Sequence, residues 1–232
     1  MSELAIDTKD LAKTYAGIRA VGGINLTVPR GSIYGFLGRN GAGKTTTIKM
    51  LLGLVRPTAG SACLLGMDAR SEHIAILQRT AFVSEKKTLY PSLTPSELVR
   101  FSRGFYPTWS ESAVEKYARL FEIPMKQRFE KLSNGNQTKV WLLLALCQGA
   151  DLLILDEPTS GLDPIGRMKV REIIQRLKND GKTVFYKDIG KEFLNQSGGL
   201  PGDIMPDYLH LSGKGYDIWG KAIKGDLEKL VK

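Results

Sequence analysis

Two stretches of this chain carry residue types whose spacing suits phosphate chemistry. The first is Gly38-Arg39-Asn40-Gly41-Ala42-Gly43-Lys44-Thr45, in which four residues separate Gly38 from Gly43-Lys44-Thr45, the pattern of a phosphate-binding loop. A triphosphate needs many N–H donors crowded close to its oxygens, and only residues with little or no side chain let a backbone wrap that tightly. Gly38, Gly41 and Gly43 supply that freedom; Lys44 reaches the outer phosphates, and the Thr45 hydroxyl is placed to hold magnesium. The second stretch is Asp151-Leu152-Leu153-Ile154-Leu155-Asp156-Glu157-Pro158. Beside a phosphate loop, Asp156 would orient magnesium and its waters, and Glu157 would polarise the water that attacks the terminal phosphate.

These side chains need elements to hold them. Ser32 to Leu37 reads as a buried strand feeding the loop, and Thr46 to Leu54 as a helix with Ile48, Leu51, Leu52 and Val55 on one face. The start of that helix would point its positive partial charge at the phosphates. The apolar run Leu152 to Leu155 reads as a buried parallel strand whose carboxyl end carries the acids, where an open α/β sheet places its ligands. Upstream, Leu4 to Leu11 and Ile24 to Val28 read as strands, with Tyr15 in the loop between them. The Tyr15 ring is open to two readings, stacking on a nucleobase or packing under a hairpin.

Further along, Ser61 to Leu65 reads as a short strand and Thr80 to Glu85 as another apolar run ending in a polar residue, with Glu85 at its tip able to face the nucleotide. From Pro91 to Ser133 helical spacing takes over, in Ser96 to Phe101 and in Glu111 to Glu122 with Val114, Tyr117, Ala118 and Phe121 in phase. Leu132-Ser133-Asn134-Gly135-Asn136-Gln137 reads as a polar turn ahead of an apolar helix from Val140 to Cys147. Ser160-Gly161-Leu162-Asp163-Pro164 reads as a tight turn before a helix buried through Val170, Ile173, Ile174 and Leu177, and Lys182 to Tyr186 as the next strand.

At 232 residues the chain can bury a sizeable core. Its net charge of +9 favours acidic partners, whether nucleotides, anionic lipid or nucleic acid. The two cysteines, Cys63 and Cys147, lack metal-like spacing and read as free thiols in a reducing compartment. The first residues show no charged-then-apolar leader, and the apolar run around Val140 to Leu155 is interrupted too early to span a bilayer.

Taken together and in this order, the motifs resemble the ATP-binding subunit of ABC transporters over about residues 3–186. They are the phosphate loop, Leu132-Ser133-Asn134-Gly135-Asn136 in the place of the signature Leu-Ser-Gly-Gly-Gln, the strand ending Asp156-Glu157, and Ser160-Gly161-Leu162-Asp163. The resemblance implies an α/β fold, a P-loop NTPase of the ABC ATPase type with an N-terminal antiparallel β-subdomain and a helical subdomain at about residues 91–136. It implies ATP and Mg2+ as ligands. Tyr15 would stack on adenine; Gly38, Asn40, Gly41, Ala42, Gly43, Lys44, Thr45 and Thr46 would hold the phosphates; Thr45, Glu85 and Asp156 would serve the metal; Glu157 and Lys44 would be catalytic. Ser133, Gly135 and Asn136 would contact the terminal phosphate of ATP held by a second copy, with Asp163 helping across a head-to-tail homodimer. The helical region would face a membrane permease, which puts the chain in the cytoplasm, peripheral to the inner face of the membrane, and nucleic acid is not an expected partner.

Three departures from that family stand out. Asn134 and Asn136 replace the commoner Gly and Gln of the signature, and Glu85 stands where a Gln usually coordinates magnesium. After Thr183 to Tyr186, where the family supplies a histidine to the terminal phosphate, the chain reads Lys187-Asp188-Ile189-Gly190, and the next histidine is His210. From about residue 183 the chain resembles instead the C-terminal strand-loop-helix segment of SGNH, or GDSL-type, esterases, including the acetylhydrolases. Asp188-Ile189-Gly190, Met205-Pro206-Asp207-Tyr208-Leu209-His210, and a helix with Trp219, Ala222, Ile223, Leu227 and Leu230 on one face carry that likeness. There Asp207 would orient His210 as the base of a triad, but the Gly-Asp-Ser block with its nucleophile is missing, and a base without a nucleophile performs no acyl transfer. The expected organisation is a chimera, an ABC ATPase-like domain at 1–186 and an esterase-like segment at 187–232 acting as scaffold. The expected activity is Mg-dependent ATP hydrolysis. The alternatives are a nucleotide-binding module with impaired hydrolysis and, third, a residual esterase.

Overall fold

The structure, a computed structural model, describes residues 3–34, 36, 42–84, 90–156, 158–159 and 161–185. Its N-terminal part is an antiparallel sheet built on one long strand, β1 (Leu4–Tyr15). The second half of β1 pairs with β2 (Ile18–Ile24), and its first half with β3 (Thr27–Pro29). Along its other edge runs β4 (Ala59–Leu64), followed by the two-residue β5 (Met67–Asp68). The expected Leu4 to Leu11 strand therefore extends to Tyr15, and β2 occupies a stretch expected to be loop. The turn between them is the two-residue Ala16-Gly17, both at positive φ (43° and 83°), the geometry that matches the twist of a tight hairpin. The low β-propensity of Gly22-Gly23 concealed β2 from a periodicity reading.

The phosphate loop leads into α1 (Lys44–Leu51), two residues earlier than expected at its start and three at its end. Gly53, at φ 69°, stops it. A short helix that the sequence reading missed, α2 (His73–Arg79), leads into β6 (Thr80–Val83). The helical region holds α3 (Pro95–Ser102) and α4 (Glu111–Phe121). Thr94 and Glu97 form a reciprocal capping box, Glu97 accepting the Thr94 amide at 2.8 Å, a device that contributes about 1 kcal/mol.

Next comes α5 (Asn134–Cys147), whose cap is Ser133. The polar turn expected at Leu132 to Gln137, read as a helix start, is helical from Asn134 onward, because the Ser133 hydroxyl accepts from the Asn136 amide at 3.2 Å and caps the helix there. The chain continues through β7 (Leu152–Leu155), α6 (Pro164–Asn179) and β8 (Thr183–Phe185).

The second sheet is parallel, in the order β6-β7-β8. Ile33 bridges to Val184 in parallel, with Tyr34 donating to the Val184 carbonyl at 2.7 Å, so the segment entering the phosphate loop runs alongside β8; of the buried strand expected at Ser32 to Leu37, the described residues show this one bridge, and they are half-buried. Alternation along β7 divides the interior in two. Leu153 and Leu155 join Val140, Leu143 and Phe121 in the core under α3 to α6. Leu152 and Ile154 join Ile48, Leu51 and Leu64 in the core between α1 and the antiparallel sheet. All four β7 side chains are buried, each contributing about 1.5–3 kcal/mol. A strand covered on both faces reads as an unbroken apolar run.

Among the described residues no helix is long and apolar enough to cross a membrane. Cys63 and Cys147 are both free thiols, as expected, and burial pushes Cys147 up to about 12.

Candidate functional site

The cap of α1 is Gly43, held at φ 85° and ψ 6°. A Cβ at this position would drive into the carbonyl oxygen of Ala20 and reach within 3.0 Å of Val21 Cγ2. Only glycine meets both demands, a left-handed backbone and a close approach to β2. Gly43 places no side-chain cap on the helix start, where the positive partial charge suits an anion. Lys44, Thr45 and Thr46 form the first turn. The Thr47 side chain turns inward to the Gly43 carbonyl at 3.0 Å, leaving Thr45 to face the sheet.

There the Thr45 hydroxyl donates to Asp156 Oδ2 at 3.3 Å. Asp156 is 8% exposed and its amide donates to the Val83 carbonyl at 2.9 Å, which continues the β6 pairing of β7 by one residue. Burying a carboxylate is costly unless a cation or donors compensate it. A hydroxyl and a carboxylate oxygen side by side at the carboxyl end of a parallel strand are hard donors of the kind magnesium takes, so these residues fit Mg2+. Among the described residues no cluster of three or more His, Cys, Asp or Glu side chains could hold a metal by itself. Magnesium commonly completes its shell with phosphate and water oxygens beside one or two carboxylates.

Two more predicted residues sit together in a second group. Gly135, in the first turn of α5, packs so closely on Gly161 that an added Cβ would lie 2.7 Å from the Gly161 carbonyl oxygen. Gly161 is itself at φ 77°. Asp163 caps α6, its Oδ1 accepting from the Gly166 amide at 2.9 Å, and Pro164 occupies the first helical position. Of the turn expected at Ser160 to Pro164, the described residues from Gly161 onward join the start of α5 to the start of α6. Gly38, Asn40, Gly41, Glu85, Glu157, Asp207 and His210 lie outside the described residues.

Tyr15 is the last residue of β1, at the hairpin, and 44% exposed. The loop placement expected for it is corrected to a strand end. Sequence reasoning missed its neighbour Lys13, whose Nζ stands 4.9 Å from the Tyr15 ring centroid. A lysine two residues before a tyrosine in a strand was the only available signal.

The pattern that describes the ABC transporter family matches residues 21–160. This chain belongs to the ABC transporter family. As an ATP-binding domain of that family it is 37% identical over 193 residues to an uncharacterised ABC transporter ATP-binding protein of Nostoc, covering 77% of this chain and 57% of that protein. It is 38% identical over 183 residues to the bacitracin transport ATP-binding protein BcrA of Bacillus licheniformis, covering 78% of this chain and 60% of that protein. The chain thus spans less than two thirds of the length of these relatives. In three dimensions it is similar to a dimeric ATP-binding cassette in a post-hydrolysis state bound to ADP and Pi, with a TM-score of 0.71 and 25% identity over 79% of this chain and 88% of that one.

Proposed function

We propose that this chain binds Mg-ATP and hydrolyses it as the nucleotide-binding subunit of an ABC transporter. The observation that supports this best is the meeting of Thr45 and Asp156 at 3.3 Å, at the point where the phosphate-loop helix faces the carboxyl end of β7. In this reading Lys44 and the amides of the loop and first helical turn bind the phosphates, Thr45 and Asp156 hold magnesium with Glu85, and Glu157 takes a proton from the attacking water. Magnesium, when bound, neutralises charge on the β- and γ-phosphates. Ser133, Gly135 and Asn136 contact the terminal phosphate of ATP on a second copy in a head-to-tail dimer, assisted by Asp163. A membrane permease docks on the helical region, which keeps the chain at the inner face of the membrane.

In place of the usual ABC C-terminal part, residues 187–232 carry a sequence resembling SGNH esterases, to which we assign no catalytic role. Asp207 and His210 there have no serine block to act on. Because Lys187-Asp188-Ile189-Gly190 stands where the family supplies a histidine, a second reading is nucleotide binding with slow hydrolysis, since loss of one electrostatic contact costs about a hundred-fold in rate.

Single-turnover hydrolysis of Mg-ATP by the full chain tests the first reading against the second. Glu157→Gln should retain ATP binding, stop phosphate release and accumulate dimer. Undiminished phosphate release by that variant removes Glu157 from the mechanism.

A further inference from the structure

We propose that Lys13 is a positioning residue for the nucleobase, holding the Tyr15 ring from one side so that its opposite face is presented to a purine. This rests on the reading of Tyr15 as the base-stacking residue. The Lys13 ammonium lies 4.9 Å from the ring centroid, within the range at which a cation is attracted by an aromatic quadrupole. It is also pinned, donating to the Arg56 carbonyl oxygen at 2.7 Å.

Arg56 lies in the segment that leaves α1, and that segment grips the hairpin at more than one point. The Thr14 amide donates to Thr58 Oγ1 at 3.0 Å, and the Thr58 amide to the Ala12 carbonyl at 2.8 Å. At the other end of α1, Gly43 abuts Ala20 and Val21 of β2. The hairpin is therefore tied to both ends of the helix that carries Lys44 and Thr45. The distance between the Tyr15 ring and the phosphate-binding turn is set by that helix.

Tyr15 remains 44% exposed in this arrangement, so the ring keeps surface for a ligand while Lys13 takes one side. An exposed tyrosine otherwise loses rotamer freedom when a base binds, and ordering it beforehand reduces that cost. The contribution belongs to the base alone, because Lys13 acts through the ring and its tie to Arg56.

The full chain and its Lys13→Met, Lys13→Arg and Tyr15→Ala variants are to be titrated with Mg-ATP and with Mg-tripolyphosphate, which offers phosphates without a base. Lys13→Met should weaken ATP about three-fold, as loss of an exposed cation–π contact implies, leave tripolyphosphate affinity unchanged, and be rescued by Lys13→Arg. No loss for ATP, or an equal loss for both ligands, overturns the proposal. If Tyr15→Ala lowers ATP affinity alone and Lys13→Met does not, the proposal fails while the stacking reading survives. If Tyr15→Ala leaves ATP affinity unchanged, the stacking reading fails and takes the proposal with it.

Discussion

The Thr45 hydroxyl reaches Asp156 Oδ2 across 3.3 Å although 111 residues separate them in the chain. Two elements bring them together, α1 leaning on the antiparallel sheet and β7 buried on both faces. Pairing of β7 with β6 and β8 fixes its carboxyl end, so Asp156 is placed by strand register and Thr45 by the first turn of a helix. Both are rigid elements, which hold the two oxygen atoms in a fixed relation to each other.

That placement depends on Gly43. At φ 85°, with the Ala20 carbonyl in the way of any added Cβ, the position admits no side chain without moving either the loop or β2. Gly43→Ala should weaken Mg-ATP binding by about ten-fold or more and destabilise the fold by about 1–3 kcal/mol. Calorimetric titration and urea unfolding read the two effects. Unchanged affinity in a stably folded variant would mean that the close approach does not shape the site.

Gly135→Ala separates binding from turnover. The added Cβ would lie 2.7 Å from the Gly161 carbonyl oxygen and push apart the starts of α5 and α6, away from the Thr45–Asp156 pair. ATP affinity of the single chain should stay within about two-fold, less than 0.5 kcal/mol, while steady-state hydrolysis falls about ten-fold or more. Hydrolysis at the normal rate would show that this contact does not serve the reaction.

At the opposite end of the parallel sheet, Asp151 accepts from Arg79 at 2.7 Å and from Lys182 at 3.3 Å, joining the end of α2 to the start of β8. Burial raises the Asp151 carboxyl, but the hydrogen bonds and charges of Arg79 and Lys182 outweigh it and hold the group below its ordinary value. A carboxylate lowered on folding contributes stability that is present above its unfolded value, about 4, and is lost as pH falls through the folded value. Asp151→Asn should therefore cost about 1 kcal/mol at pH 7, discounted for partial exposure, and its difference from the parent chain should shrink below pH 4. Urea unfolding at both pH values measures it, and a pH-independent difference would contradict the assignment.

The elements that carry Lys44, Thr45 and Asp156 were legible in the sequence where chemistry dictates residue type. Gly43-Lys44-Thr45 and the run from Leu152 to Asp156 could be read because a polyphosphate demands small residues and a doubly covered strand demands an unbroken apolar run. The sequence was less informative where local signals were ambiguous. Ser133 to Gln137 has the composition of a turn, yet the Ser133 cap makes it helical. Gly22-Gly23 argues against a strand, yet pairing of Gly22 with Ala12 and of Ile24 with Leu11 draws the stretch into one. The contact of Lys13 with Tyr15, like that of Gly135 with Gly161, arises from neighbours that only the fold defines.

The most direct test is equilibrium binding of Mg-ATP to the purified full chain and to its Lys44→Ala variant. The parent chain should bind saturably, and Lys44→Ala should lose at least about ten-fold in affinity, as removal of a charged phosphate contact implies. Equal affinities, or a parent chain that does not take up Mg-ATP, would contradict the account.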